Sequence, residues 1–177
     1  QQLPVGLFGA TIAQAALPTL SEIKAKKDPE EFKAIFLASF HQILFLALPA
    51  TAILIVLKIP VVRLVFGASQ FDWPSTVLTG MTLAYLSIGL AAQSVSLLSV
   101  RGFYAMKDTK TPVLVSFFVV LINIALSFIF VSVLHYEVWS LGLAFSISSI
   151  ISGLLLFATL DRKVGGFEKA AVFRPFL

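Results

Sequence analysis

Residues 112–134 read PVLVSFFVVLINIALSFIFVSVL and contain no Asp, Glu, Lys or Arg. A helix needs about 20 predominantly apolar residues to cross the hydrocarbon core of a bilayer, and this stretch supplies them without a break. A surface helix of a water-soluble domain would carry a polar face, which is missing here. The stretch is therefore predicted to be a transmembrane helix, and it decides the fold class of the chain.

Other stretches of the chain repeat this pattern. Residues 35–57, 77–100 and 138–160 are long enough to span a membrane, and residues 3–20 form a shorter apolar segment. We predict an all-α, polytopic transmembrane bundle with five transmembrane helices, in one transmembrane region over residues 1–177. Residues 3–20 lack the features of a signal peptide, and residues 167–177 begin another apolar pattern. We therefore expect a longer protein.

Composition excludes several functional classes. Only 12% of the residues are charged, whereas soluble domains average about 25%. A nucleic-acid-binding surface would need clustered Lys and Arg with interleaved aromatic residues, but the basic residues here lie in short loops. Without cysteine there is no thiolate metal site or Cys nucleophile, and no Ser-His-Asp, HExxH or phosphate-binding Gly-rich pattern is present. We expect no enzyme activity, no cofactor and no metal site.

The distribution of basic residues predicts the orientation, because Lys and Arg accumulate in short cytoplasmic loops. One set of alternate loops, around residues 21–34, 101–111 and 161–176, is rich in them, whereas the loops around 58–76 and 135–137 contain only Lys58 and Arg63. The first set, predicted to be cytoplasmic, consists of Lys24, Lys26, Lys27, Lys33, Arg101, Lys107, Lys110, Arg162, Lys163, Lys169 and Arg174. The first helix then runs from outside to inside.

Turn chemistry marks two connections between the predicted spans. Asp28 precedes Pro29 and two acidic residues, which is typical of a helix N-cap with proline in the first turn. Residues 58–76 contain Pro60 and a stretch rich in turn formers and aromatic residues, so we predict an outward-facing interfacial loop there.

Few polar side chains interrupt the apolar spans, and such residues usually face other helices or a cavity. Gln1 and Gln2 stand at the start of the first helix, and Asn123 stands at the middle of the fourth. Two interpretations stay open for each: a hydrogen bond across a helix interface, or a contact with a substrate or a monovalent cation. For Asn123 the neighbouring Ser127 supplies only a hydroxyl group.

Two stretches resemble a known family. Residues 2–9 (QLPVGLFG), followed by residues 16–21 (ALPTLS), are similar to the two ends of the eighth helix of the MurJ/MviN flippases. Residues 101–112 (RGFYAMKDTKTP) resemble the R-x-F-Y-A-x-x-D-T-x-T-P signature of that family between its tenth and eleventh helices. The resemblance extends over essentially the whole chain.

The resemblance implies a fold and a function. It corresponds to helices eight to twelve, in the C-terminal lobe of a flippase of the multidrug/oligosaccharidyl-lipid/polysaccharide exporter (MOP) superfamily. It implies movement of lipid II, an undecaprenyl-diphosphate-linked peptidoglycan precursor, across the bacterial inner membrane by alternating access. The implied partners are this lipid-linked substrate, membrane lipids and the remaining helices of the same protein, with no nucleic acid.

The resemblance also implies candidate site residues. A cavity carboxylate of some members aligns with Gln2, so we take Gln2 and the adjacent Gln1 as substrate-cavity candidates, and Asn123 as a third because it stands at the middle of the fourth helix. The cavity arginines of the family lie outside this chain. Arg101, Asp108, Thr111 and Pro112 are structural or gate candidates in the cytoplasmic loop. Arg101 and Asp108 can pair, or they can cap helix ends and hold the turn before Pro112; a solvated turn with basic residues is the alternative.

Two other functions stay open from the sequence. One is another exporter of the same superfamily, either a polysaccharide-lipid flippase or a drug/cation antiporter. The other is a membrane scaffold that does not transport.

Overall fold

The computed structural model describes residues 2–26, 28–67 and 72–167, and within these ranges the chain forms helices and no β-strand. Predictions that concern Gln1, Lys27, Lys169, Arg174 and residues 68–71 lie outside the described residues. The helices are α1 (residues 2–26), α2 (Pro29–Val56), α3 (Lys58–Phe66), α4 (Trp73–Ile88), α5 (Leu90–Ala105), α6 (Lys110–Val133) and α7 (Trp139–Val164).

Four of these helices are long and apolar enough to cross a membrane: α1, α2, α6 and α7. The bent pair α4–α5 supplies a fifth span if its two arms are taken together. The prediction of an all-α polytopic bundle is thus confirmed.

The first helix changes its winding near its start. Val5–Ala10 forms wider π-type turns, and the hydroxyl group of Thr11 donates a 3.0 Å hydrogen bond to the carbonyl oxygen of Gly6 there. Gly9 faces α5 so closely that a Cβ atom on it would lie 2.8 Å from Cβ of Ser94. The lack of a side chain at Gly9 lets α1 pack tightly against α5 there, as small residues do in membrane bundles.

The second helix starts earlier than the apolar span 35–57. The carboxylate of Asp28 accepts hydrogen bonds from the backbone N–H groups of Glu30 (3.1 Å) and Glu31 (3.0 Å), with Pro29 as the first helical residue. The predicted N-cap is confirmed, and the first turn of α2 is polar because it precedes the apolar part of the helix.

The prediction of a plain loop over residues 58–76 is wrong in its first part. Lys58–Phe66 forms α3, in which Pro60 occupies the first turn. Proline is compatible with that turn because the first N–H groups of a helix have no partner within it. Val62 is buried, and the side chain of Ile59 packs where a Cβ atom of Gly80 would be, so α3 is held against α4.

The helix predicted over residues 77–100 is bent in the structure. The structure has two helices, α4 and α5, whose axes differ by 41° at Gly89. At the bend, the side chain of Ser146 from α7 hydrogen-bonds to the backbone of Tyr85 and Gly89. Hydropathy does not reveal such a contact, since both arms are apolar.

The last two helices differ in how far they are buried within the chain. None of the most apolar part of α6 is buried within the chain, which suits a helix that faces lipid or further helices. In contrast, α7 packs against α4, α5 and α6, and its buried residues include Gly142, Ser146, Ser149 and Gly153. These small side chains lie along one face and allow close helix packing.

The main core lies toward the helix ends that carry the basic loops. It joins α1, α2, α5 and α7 through Leu20, Phe36, Phe103 and Leu160, all 0% exposed. After α7 the chain turns through Gly165, whose φ of +92° suits glycine. Phe167 then stacks on Phe36 with the ring centroids 5.4 Å apart. The basic end of the bundle is therefore well packed.

Candidate functional site

A polar cavity lies between α5, α6 and α7. Its volume is about 260 Å³, and its lining combines amide and hydroxyl side chains with three apolar residues. The polar lining residues are Gln93 and Ser96 of α5, Asn123 of α6, and Ser148, Ser149 and Ser152 of α7. Asn123 and Ser148 both lie near the middle of their helices, so the cavity is at mid-depth of the predicted membrane span.

Helical spacing brings these side chains together. Residues three or four apart lie on the same face of a helix, and this relation holds for Gln93 with Ser96 and for Ser148 with Ser152. The amide nitrogen of Asn123 donates a 3.2 Å hydrogen bond to the hydroxyl oxygen of Ser148. The hydroxyl oxygens of Ser96 and Ser152 lie 3.4 Å apart. Two polar contacts therefore join three helices.

Most of the lining residues have polar side chains, but none of them carries a charge. Its polar lining side chains are amides and hydroxyls, which donate and accept hydrogen bonds but supply no counter-charge for an ionic group. Within the described residues, no group of three or more His, Cys, Asp or Glu side chains could hold a metal ion. The chemistry available here is neutral hydrogen bonding between helices or to a neutral polar group.

Of the other substrate-cavity candidates, the structure describes only Gln2, which lies elsewhere. Gln1 is outside the described residues, and Gln2 is exposed at the start of α1. The helix α1 packs against α2 and α5, whereas the side chain of Asn123 contacts α7. The structure thus does not bring Gln2 and Asn123 together.

The cytoplasmic candidates meet around Asp108, in the turn between α5 and α6. Its carboxylate accepts hydrogen bonds from the backbone N–H groups of Lys110 (3.0 Å) and Thr111 (3.2 Å) and from the hydroxyl group of Thr111 (2.5 Å). Pro112 follows and is buried. Asp108 therefore caps the start of α6 and holds the turn before Pro112.

Asp108 also forms an ion pair with Lys163, near the end of α7. This contact replaces the Arg101–Asp108 pair, one of the alternatives predicted from the sequence, which the structure does not contain. The guanidinium group of Arg101 lies instead 5.9 Å from the centroid of the Tyr104 ring. Arg101 is in the last turns of α5, whereas the Asp108 carboxylate contacts the start of α6 and the Lys163 ammonium group near the end of α7.

The pKa of the Asp108 carboxyl group is lowered well below its ordinary value of 3.8. The largest cause is the hydrogen bond from the Lys163 ammonium group, followed by the hydrogen bonds from the hydroxyl and N–H groups of Thr111. All of them stabilise the ionised form. The carboxylate is therefore charged throughout the physiological pH range.

Several residues of these sites are not evident from the sequence. Lys163 is predicted only as a basic residue of a cytoplasmic loop, because its partner lies 55 positions away. The serines of α7 are not among the predicted site residues. Ser148 and Ser152 are spaced like residues of one helix face, and this spacing was a signal that the polar face of α7 meets other helices.

A family model and several known proteins that resemble this chain carry the same description. The family model described as "Lipid II flippase MurJ" matches residues 1–176. A probable lipid II flippase of Rhizobium meliloti is 35% identical over 161 residues, which cover 90% of this chain and 29% of that protein. A lipid II flippase of Thermosipho africanus is 30% identical over 171 residues, which cover 96% of the chain and 34% of that protein. One from Burkholderia cenocepacia is 25% identical over 174 residues, covering 98% and 32%. The chain thus spans about a third of the length of these relatives.

Proposed function

The chain belongs to the lipid II flippase MurJ family, and on this premise we propose that the full-length protein moves lipid II across the bacterial inner membrane by alternating access. The family match over residues 1–176 is the observation that carries the proposal. The protein is a multi-pass membrane protein, in keeping with its apolar helices. The described residues would contribute five spans of its C-terminal lobe.

The polar cavity is too small to enclose the substrate headgroup. Pockets that enclose drug-sized ligands measure roughly 300–1,000 Å³, and this cavity, about 260 Å³, is smaller than that range. A disaccharide pentapeptide is larger than a drug-sized ligand. In our proposal Asn123 therefore holds α6 on α7, and the substrate passes on another side of the bundle, where Gln1 and Gln2 remain the candidates of this chain.

The charge of the substrate also supports a structural role for the polar cavity and a substrate path elsewhere in the bundle. A diphosphate group requires cationic partners in a low-dielectric site, and the polar cavity offers none. The counter-charge would come from the cavity arginines that the family resemblance places outside this chain. The role of α5, α6 and α7 in this proposal is to form a stable wall of the lobe.

The cytoplasmic turn would belong to the inner gate. Asp108 joins the α5–α6 turn to the end of α7 through Lys163, and Lys163 also lies 5.9 Å from the ring centroid of the buried Phe103. In alternating access the cytoplasmic ends of the two lobes must separate and meet again. Through this ion pair the ends of three helices would move as one body.

The proposal is tested by complementation with the full-length gene. The gene is expressed in bacteria depleted of their own lipid II flippase, and growth and the exposure of lipid II on the outer leaflet are measured. We expect rescue of both. Membrane-inserted protein that restores neither would contradict the proposal and favour a different substrate within the exporter superfamily, or a scaffold without transport.

The gate is tested in the same cells. Arg101→Ala and Asp108→Ala are expressed beside the unchanged gene, with Arg162→Ala as the matched control because Arg162 is an exposed basic residue of the same surface. We expect Asp108→Ala to reduce lipid II exposure at equal folded yield. Unchanged transport and unchanged folded yield in both test variants would remove these residues from the gate.

A further inference from the structure

The bend between α4 and α5 has an unusual hydrogen-bond arrangement. In a continuous α-helix the N–H group of Gly89 would donate to the carbonyl oxygen of Tyr85, four residues earlier. Instead, the Gly89 N–H group donates a 3.1 Å hydrogen bond to the hydroxyl oxygen of Ser146 on α7 and also contacts the carbonyl oxygen of Ser87. The same hydroxyl group donates its proton to the carbonyl oxygen of Tyr85.

The hydroxyl group of Ser146 therefore contacts both the N–H group of Gly89 and the carbonyl oxygen of Tyr85, which would bond to each other in a continuous helix. A serine hydroxyl has one proton to donate and lone pairs to accept, which matches the two backbone groups that the bend separates. Without it, the carbonyl oxygen of Tyr85 would lose this donor, and the Gly89 N–H group would keep only its contact with the carbonyl oxygen of Ser87. Both groups lie inside the membrane span, where no bulk water compensates them. Ser146 is 1% exposed, so water cannot easily take its place.

Glycines on both sides of the contact allow α7 to pack closely against the bend. A Cβ atom on Gly89 would lie 2.9 Å from Cα of Ser146, so only glycine allows this approach. On α7, Gly142 faces the backbone oxygen of Thr82 in α4, and Gly153 faces that of Ala92 in α5, each at 3.0 Å from an added Cβ atom. The two glycines contact the two arms, and Ser146 lies between them at the corner.

We propose that Ser146 sets the angle between α4 and α5 and is thereby the positioning residue for the polar cavity. Gln93 and Ser96 follow Gly89 by four and seven residues and line the cavity. At a rise of 1.5 Å per residue, straightening a 41° bend would move their backbones by about 4 Å and about 7 Å. The contacts of α5 with α6 and α7 at the cavity then separate.

This inference goes beyond the proposed function and is tested without substrate. Cysteines are introduced at Ser96 and Ser152 of the full-length protein, after any cysteine outside this chain is replaced, and the rate of disulfide formation in membranes is measured. The hydroxyl oxygens of these serines lie 3.4 Å apart, so the two side chains face each other at contact distance across α5 and α7. We expect fast cross-linking with Ser146 present and at least tenfold slower cross-linking after Ser146→Ala.

The matched control is Ser140→Ala. Ser140 is a second fully buried serine of α7, and its hydroxyl oxygen has no hydrogen-bond partner within the described part of the chain. Its removal should leave the cross-linking rate unchanged. Cross-linking at the original rate in folded Ser146→Ala would overturn the proposal, and so would an equal slowing in Ser140→Ala.

Ser146→Thr, which keeps the hydroxyl group, covers the case in which Ser146→Ala is not recovered folded. Recovery and fast cross-linking of the threonine variant, with loss of the alanine variant, would support the proposal. Loss of both, with Ser140→Ala intact, would overturn it, because the site would then respond to any change in shape and not to the hydroxyl group. Transport assays are separate, so a failure of the flippase proposal cannot be mistaken for a failure here.

Discussion

The carboxylate of Asp108 and the ammonium group of Lys163 form an ion pair that joins the α5–α6 turn to the end of α7. The two side chains differ in exposure: Asp108 is 14% exposed and Lys163 is 45% exposed. Asp108 also caps α6, while within the described residues the side chain of Lys163 makes this ion pair and a contact with the Phe103 ring. Asp108 is therefore expected to contribute more to the stability of the fold than Lys163 does.

We expect Asp108→Ala to lower the thermal unfolding midpoint more than Lys163→Ala does. The first change removes both the cap and the ion pair, whereas the second leaves the cap in place. Arg162→Ala, an exposed neighbour on α7, should have little effect, because isolated surface charges contribute little to stability. Thermal unfolding of the purified full-length protein in detergent measures all three. Equal loss in Asp108→Ala and Lys163→Ala would show that the cap contributes nothing.

The same carboxylate predicts a pH dependence. The pKa of Asp108 is lower in the folded protein than its ordinary value of 3.8, so the ionised form stabilises the fold above that value. As the pH falls below about 3.8 toward the folded pKa, the unfolded chain takes up a proton first and this stabilisation is lost. The stability difference between the unchanged protein and Asp108→Asn should be constant above about pH 5 and shrink in acid. A difference that does not change with pH would contradict the lowered pKa.

The hydrogen bond between Asn123 and Ser148 should be measurable as a coupling energy. Interhelical hydrogen bonds in membrane proteins contribute on average about 0.6 kcal/mol and up to roughly 1.7 kcal/mol. A double-mutant cycle of Asn123→Ala and Ser148→Ala, from unfolding in bicelles, should give a coupling in this range. Asn123→Ala with Ser127→Ala serves as the control cycle. Strict additivity of the first pair would mean that the contact does not stabilise the bundle.

Gly89→Ala should destabilise the bundle. The added methyl group would lie 2.9 Å from Cα of Ser146, and backbone atoms cannot move aside as a flexible side chain can. Overpacking of this kind costs about 1–3 kcal/mol. Gly6→Ala is the control, since an added Cβ atom there meets nothing within 4 Å. Unfolding in bicelles compares the two, and equal stability of both variants would show that α5 and α7 can separate freely at the bend.

Asp28→Ala should weaken the start of α2. Asp28 accepts hydrogen bonds from two backbone N–H groups of the first turn, and loss of an N-cap costs about 1 kcal/mol. Asp28→Ser keeps a capping oxygen and should recover most of the stability. Unfolding of the full-length protein in detergent measures both variants. If serine and alanine are equally destabilising, the charge of Asp28 matters and its capping does not.

The sequence by itself determined the features that depend on local chemistry. Residues 112–134 and the other long apolar segments indicate an all-α membrane bundle. Within lipid, backbone N–H and C=O groups are satisfied only in helices and closed β-barrels, and segments of this length suit helices. Asp28 and Pro29 predict a helix start, since the groups that they serve lie within the next turn. The motif at residues 101–112 is likewise contiguous, so the family resemblance is visible without a fold.

Only the tertiary structure decided the features that depend on distant side chains. Lys163 reaches Asp108 across 55 positions, and Ser146 reaches Tyr85 across 61. The bend at Gly89, the ion pair at the cytoplasmic end and the serine side of the polar cavity all arise where α7 packs against the other helices. Hydropathy identifies which segments enter the membrane. It cannot identify which face of an apolar helix contacts a neighbouring helix, because all faces are similarly apolar. Which faces meet is set by the fit of small residues and single hydroxyl groups between helices.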